Sequence, residues 1–258
     1  MIFRKPVFWI TAVLLFIIGS FYSIQVFPKA FAILNVDLKM DREAAFIQSS
    51  ALAKKNNWGP DNYNQVASFS HDTRTQNFVE LDAGGVEKVS SLMQDGLYHF
   101  YTWTVRHYRE HEPNETRISF TPAGDFYGFK ETLAETEKGA ALGAGEARVI
   151  AENFVQNETS IQLSEFEAIE TSEEVMPSER IDHTFVYQRT KEQIGDGFFR
   201  LKLLVSGDKV TELKHFIKVP ETFSRRFEEM RSANNTLATS ASIAMFLLYG
   251  FGGIILGL

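Results

Sequence analysis

The chain of 258 residues contains no cysteine. That excludes a disulfide scaffold, a thiol nucleophile and any cysteine-ligated metal or cluster, while leaving the compartment open. Positive charge is not in excess either: 26 Lys and Arg stand against 33 Asp and Glu, a net of -7 with a pI near 5.5. That is the wrong sign for a nucleic-acid partner, whose phosphates attract basic surfaces. No Gly-x-Ser-x-Gly occurs, so a serine nucleophile elbow is missing. Gly139, Gly143 and Gly145 in GAALGAGEAR are not followed by Gly-Lys-Ser/Thr, so they form no phosphate loop. They read as a flexible joint.

Charge is absent altogether from two stretches. Residues 7–27 (VFWITAVLLFIIGSFYSIQVF) are 21 in number, and residues 237–258 (LATSASIAMFLLYGFGGIILGL) are 22. At a rise of about 1.5 Å per residue each reaches roughly across a bilayer core of about 30 Å. Neither shows the polar face that a buried core helix of this length carries. The first run exceeds the roughly 7–15 apolar residues of a cleaved signal, so it reads as an uncleaved anchor. Arg4 and Lys5 then keep the N-terminus cytoplasmic and residues 28–236 on the far side. Those two are the only charges outside the middle segment, which therefore holds 24 of the 26 basic residues and all 33 acidic ones. The last apolar run ends at Leu258 without an interfacial anchor, which predicts that the chain is the N-terminal portion of a longer protein.

What the middle does have is aromatics and a repeat. With 23 Phe, 8 Tyr and 3 Trp it can build a sizeable core. Asp41-Arg42-Glu43 reads as an N-cap and acidic first turn. Ala44, Ile47, Ala51 and Leu52 follow at helical spacing, and Asn56-Asn57-Trp58-Gly59-Pro60 stops the helix. From Gly145-Glu146 onward Ala147, Ile150, Ala151 and Phe154 repeat the pattern, 103 residues later for Ala44/Ala147 and Ile47/Ile150. Strand-like sequence follows each helix: residues 97–109 (LYHFYTWTVRHYR) and, in the second copy, 182–189 (DHTFVYQR). Residues 117–129 and 199–213 each read as strand, Gly-Asp turn, strand. Gly124-Asp125 and Gly207-Asp208 lie 83 apart. The first copy is thus about 20 residues longer, the excess falling in 82–96 with a short helix over 86–93. The expected fold class is α+β: two tandem helix-plus-antiparallel-sheet modules between two transmembrane helices. The expected boundaries are 1–6 cytoplasmic, 7–27 anchor, 28–40 linker, 41–135 and 136–222 the two modules, 223–236 a juxtamembrane helix and 237–258 the second membrane helix.

No catalytic constellation survives inspection. His99 and His107 share a strand face but lie eight residues apart, roughly 26 Å at about 3.3 Å per residue. His107 and His111 have a spacing that would suit a helix, in sequence that reads as strand and turn. No metal, cofactor or catalytic residue is therefore expected. Trp103, Arg106 and Tyr108 on one strand, and Asp182, His183 and Arg189 on its counterpart, are the candidate binding residues. An arginine among aromatic rings can stack and pair at once. The more ordinary role for such residues is a cross-strand ion pair on a wet sheet face.

The Ala-rich helix followed by a Gly-Asp hairpin, clearest over 140–220 and fainter over 41–130, resembles the PepSY-like family of small extracytoplasmic modules. Residues 217–258 (IKVPETFSRRFEEMRSANNTLATSASIAMFLLYGFGGIILGL) resemble the junction before the second membrane helix in long bacterial members of the CPBP (CAAX protease and bacteriocin-processing) family of intramembrane proteases. That resemblance implies the bacterial inner membrane as location and the bilayer, further transmembrane helices and an exported peptide or protein as partners. It further implies an exported part that binds or regulates. The family's Glu-Glu-x-x-x-Arg signature is not met: in Glu228-Glu229-Met230-Arg231 the arginine comes two residues early, outside the apolar run. No catalytic role is carried onto it. The alternative is a complete two-helix membrane protein with a sensor domain and no enzymatic activity.

Overall fold

The structure, a computed structural model, describes residues 5–30 and 32–257. It divides into two units, Met1–Lys218 and Val219–Leu258. The first begins with α1 (Pro6–Ala30), a 3₁₀ turn (Ala32–Asn35) and α2 (Arg42–Asn56). Then come β1 (Asn64–His71), α3 (Thr73–Asp82), α4 (Gly85–Gln94), β2 (Tyr101–Tyr108), β3 (Glu115–Phe120) and β4 (Phe126–Thr132). α5 (Ala144–Glu158) opens the second half, followed by β5 (Phe166–Val175), β6 (Ile181–Ile194), β7 (Gly197–Ser206) and β8 (Lys209–Lys218).

The fold is α+β, and its two halves share one sheet. All eight strands are antiparallel in the order β1-β2-β3-β4-β8-β7-β6-β5. Each half is a helix followed by a four-stranded meander, and the last strands meet at a seam where Phe129 faces Leu213 and Lys130 faces Glu212. Helix and hairpin positions correspond one to one. Both helices have 15 residues, and their N-caps, Asp41 and Gly143, are 102 apart. Both terminal hairpins carry a bulge, which leaves Tyr127 on β4 and Thr211 on β8 as the extra residues, 84 apart. Phe129 and Leu213 are also 84 apart, so the seam pair lies on the pseudo-twofold axis relating the halves.

The buried face of α5 includes the expected Ala147 and Ala151, whereas that of α2 is shifted by one residue. The buried positions are Ala45, Ser49 and Ala53 in α2 and Ala147, Ala151 and Val155 in α5. Ile47, expected inside, is 64% exposed. The reason is approach distance: small residues at every fourth position let the helix backbone settle on the sheet, and the larger Ile150 and Phe154 pack at the flank. Beneath them Val105, Ile118, Leu201, Leu203 and Val205 are fully buried, each contributing about 1.5–3 kcal/mol of apolar burial. Trp58, just past α2, stacks on Phe129 at 3.9 Å and approaches Phe154 of α5 at 6.3 Å, so one core serves both halves.

Three further features depart from expectation. The first strands of each half, β1 and β5, fall outside the sequence expectation; both are sheet edges and neither holds a buried residue. The extra length of the first half lies between β1 and β2, where β5 and β6 are joined by only 176–180; it holds the expected helix over 86–93 as α4 and, unexpectedly, α3 before it. This insertion crosses to the second half: a Cβ on Gly197 would stand 2.7 Å from the Phe78 ring, and one on Gly195 3.1 Å from Ala83. The glycine-rich joint is packed. Arg180, 2% exposed, forms an ion pair with Asp182 at 2.8 Å and donates to the carbonyls of Ala134 (3.2 Å) and Glu137 (2.8 Å). Gly207 lies so close to Ala140 that a Cβ would meet its nitrogen at 2.9 Å.

The second unit is α6 (Glu221–Phe246), a π turn (Leu247–Phe251) and α7 (Gly252–Gly257). Polar and apolar parts of α6 form one helix without a break at 236/237. Two helices, Pro6–Phe27 and Glu221–Ile255, are long and apolar enough to cross a membrane.

Candidate functional site

The six residues singled out from the sequence do not form one site. β2 and β6 are separated by β3, β4, β8 and β7, about 24 Å at roughly 4.8 Å per strand. On β2, Arg106 pairs with Glu115 and lies 4.5 Å over the Tyr108 ring. Glu115 also accepts from Arg117 at 2.9 Å. On β6, Asp182 belongs to the buried pair with Arg180. Arg189 is held by Glu165 at 2.5 Å and Glu192 at 2.8 Å.

Trp103 and His183 turn out to be structural counterparts. Trp103 Nε1 donates to the Met40 carbonyl at 3.0 Å, and His183 Nε2 meets the Leu142 carbonyl at 2.8 Å. Met40 and Leu142 each directly precede an N-cap. A carbonyl only accepts, so His183 carries its proton on Nε2. Its Nδ1 is buried and 3.9 Å from Glu173. Both rings thus pin a helix entry to the sheet.

The two ends of the sheet are closed differently. At the end where α2 stops, the ammonium of Lys209 donates to the Asn57 carbonyl at 2.6 Å and to Glu131 at 2.9 Å. Glu131 is 5% exposed and also accepts from the Gly59 N–H at 2.7 Å. Nearby, His107 is buried, stacked on Tyr63 at 4.0 Å and within 3.0 Å of both Ser49 Oγ and Gln65 Nε2. Burial pushes its pKa down to about 4, so the imidazole is neutral near pH 7.

At the opposite end, where α5 stops, the corresponding residues are different. Asp125 occupies the position of Lys209 and His215 that of Glu131, each 84 apart along the hairpins. Thr159 takes the place of Asn57 as the residue capping the helix. A cavity of about 390 Å³ opens here. It is bounded by the β3–β4 turn, the exit of α5, residues 95–99 leaving the insertion, and the end of β8. Inside it His215 stacks on Tyr127 at 4.6 Å, and His99 stands edge-on to the same ring at 5.2 Å. The Tyr127 hydroxyl accepts from the His99 N–H at 3.3 Å.

The electrostatics of this cavity follow from burial. His215 is pushed down to about 4 by desolvation and by neighbouring His99. His99 is lowered by burial, against the opposing pull of Asp125. Burial raises the Tyr127 and Tyr98 hydroxyls, which stay protonated. Arg189 and Arg200 line the wall but are engaged, Arg189 by carboxylates and Arg200 by Gln188 at 3.0 Å. The cavity therefore presents two neutral imidazoles, tyrosine hydroxyls and the Asp125 carboxylate among aromatic walls. Among the described residues no group of three His, Asp or Glu is arranged to hold a metal ion.

Sequence reasoning missed His215 and Tyr127. The signal was the hairpin correspondence, taken at 83 from the Gly-Asp turns; the bulges set it at 84 and align His215 with Glu131. Comparison with protein-family models, with curated proteins and with solved structures finds no match.

Proposed function

We propose that this chain is a membrane-anchored extracytoplasmic binding domain whose ligand site is the cavity at the α5 end of the sheet. The cavity carries the reading. Its volume falls within the range of small-ligand pockets, about 300–1,000 Å³, and it combines apolar walls with a few convergent polar groups. Two helices able to span a bilayer support the anchoring. The repeated helix and antiparallel meander support the likeness to tandem PepSY-like modules.

The resemblance of residues 217–258 extends the reading: the domain binds or regulates on behalf of a CPBP-like intramembrane endopeptidase in a bacterial inner membrane. The catalytic helices of such an enzyme would lie beyond Leu258, and its substrate would be an exported peptide or protein. The chain's own residues supply binding and no chemistry. The alternative is a two-helix sensor with no enzyme attached.

Reporter fusions test the topology. Reporters after residues 3 and 150 are expected on opposite sides of the membrane, the second extracytoplasmic; both on one side would sink the anchored reading. Sequencing the frame past Leu258 separates the alternatives. Further apolar helices with Glu-Glu-x-x-x-Arg support the endopeptidase, and an immediate stop supports the sensor.

A further inference from the structure

The pseudo-twofold axis shows what each end of the framework is built to receive. At the α2 end an ammonium, that of Lys209, sits between a helix-exit carbonyl and a buried side-chain acceptor. At the α5 end the helix-exit residue Thr159 lines the cavity, and no lysine stands at the matching hairpin position. Asp125 stands where the lysine stem would begin, and His215 stands where Glu131 does. The space between them is the 390 Å³ cavity.

We infer that the cavity binds a small organic amine, whose ammonium takes the place that Lys209 fills at the other end. The inference rests on the reading of the cavity as the ligand site. Two observations support the cation over an anion or a neutral guest. Asp125 forms no salt bridge among the described residues: it contacts the Thr121 hydroxyl and backbone, and the Lys39 ammonium that feels its charge is paired with Asp37. The imidazoles of His99 and His215 are uncharged near neutral pH and offer lone pairs. Of the wall arginines, Arg189 is neutralised by Glu165 and Glu192, while Arg200 hydrogen-bonds the neutral Gln188 side chain and keeps its charge. The aromatic walls, Tyr127 and Phe199 among them, suit both an ammonium and an apolar arm attached to it.

The test uses the full chain in lipid nanodiscs, with histidine side chains labelled for NMR. Butylamine, butanol and butyrate are titrated in parallel. Butylamine is expected to shift the His99 and His215 ring signals, at least tenfold more tightly than the other two. Its binding should weaken at least tenfold in Asp125→Asn and in His215→Phe, and should fade as the pH falls toward 4, where charged imidazoles repel it. Either variant suffices if its near-UV dichroism stays native. Acetyl-Gly-Lys-Gly-amide distinguishes the source of the amine. Tighter binding than butylamine assigns a lysine side chain of a polypeptide, and weaker binding assigns a free amine. Equal or stronger shifts from butyrate or butanol would overturn the amine while leaving the cavity a binding site. No shift from any probe would overturn both.

Discussion

The two ends of the sheet are built on the same plan and do different things. At the α2 end a lysine, a glutamate and a glycine N–H close the gap between hairpin and helix. At the α5 end the matching positions hold Asp125, His215 and Thr159, and the gap is a cavity. The insertion between β1 and β2 belongs to the first half only, and its exit, 95–99, supplies a wall of that cavity. A symmetric scaffold acquires a site where one half's closing residues are replaced and an unmatched insertion provides the missing side.

The two halves depend on each other most directly at the seam. A methyl on Gly128 would stand 2.5 Å from the Leu213 carbonyl oxygen, backbone that cannot turn aside. Gly128→Ala is expected to cost about 3 kcal/mol or more, an overpacking strain on the pairing that joins the halves. Chemical denaturation monitored by Trp fluorescence and by far-UV dichroism checks this. Loss of both signals in one transition at lower denaturant supports a single cooperative sheet, and an unshifted midpoint would refute the clash.

A second test sharpens the contrast between the ends through pH. His107 and His215 are held near 4 in the folded protein and titrate near 6.5 when unfolded. Between those values the unfolded state binds more protons, so folding stability is full above about 6.5 and declines as the pH falls toward 4. Each histidine contributes a slope of up to about 1.4 kcal/mol per pH unit. His107→Gln should remove one such share while leaving the His215 share in place. Stability that is flat from pH 6.5 to 4.5 would contradict both assignments.

The smallest effect concerns the paired ring donors. Trp103→Phe and His183→Phe each leave a helix-entry carbonyl without its partner and should cost about 1 kcal/mol. Equal costs in thermal melts support their correspondence; a cost confined to one would deny it.

Much of the fold is legible in the sequence, for reasons that differ by element. The apolar ends stand out because 21 and 22 uncharged residues are rare, and two helices able to span a membrane are found there. The hairpins are visible because Gly124 and Gly207 occupy left-handed backbone, φ +106 and +66, which glycine signals. β1 and β5 stay hidden because these edge strands hold no buried residue and so no fully apolar face. The α2 face slips by one because Ile47 is the most apolar residue there, whereas close packing selects Ala45 and Ser49. The site is the least legible. It depends on the register left by hairpin turns of unequal length and on which strands meet, and neither leaves a local pattern.

The seam has a consequence in time. Phe129 and Leu213 are separated by 84 residues of chain, and Lys209 and Asn57 by 152. During synthesis β4 is complete long before β8 exists, and until then its edge is open to any strand that meets it. The sheet can close only when the last strand has emerged, immediately ahead of α6. Completion of the domain is therefore scheduled to the end of its own synthesis, just ahead of the second apolar helix.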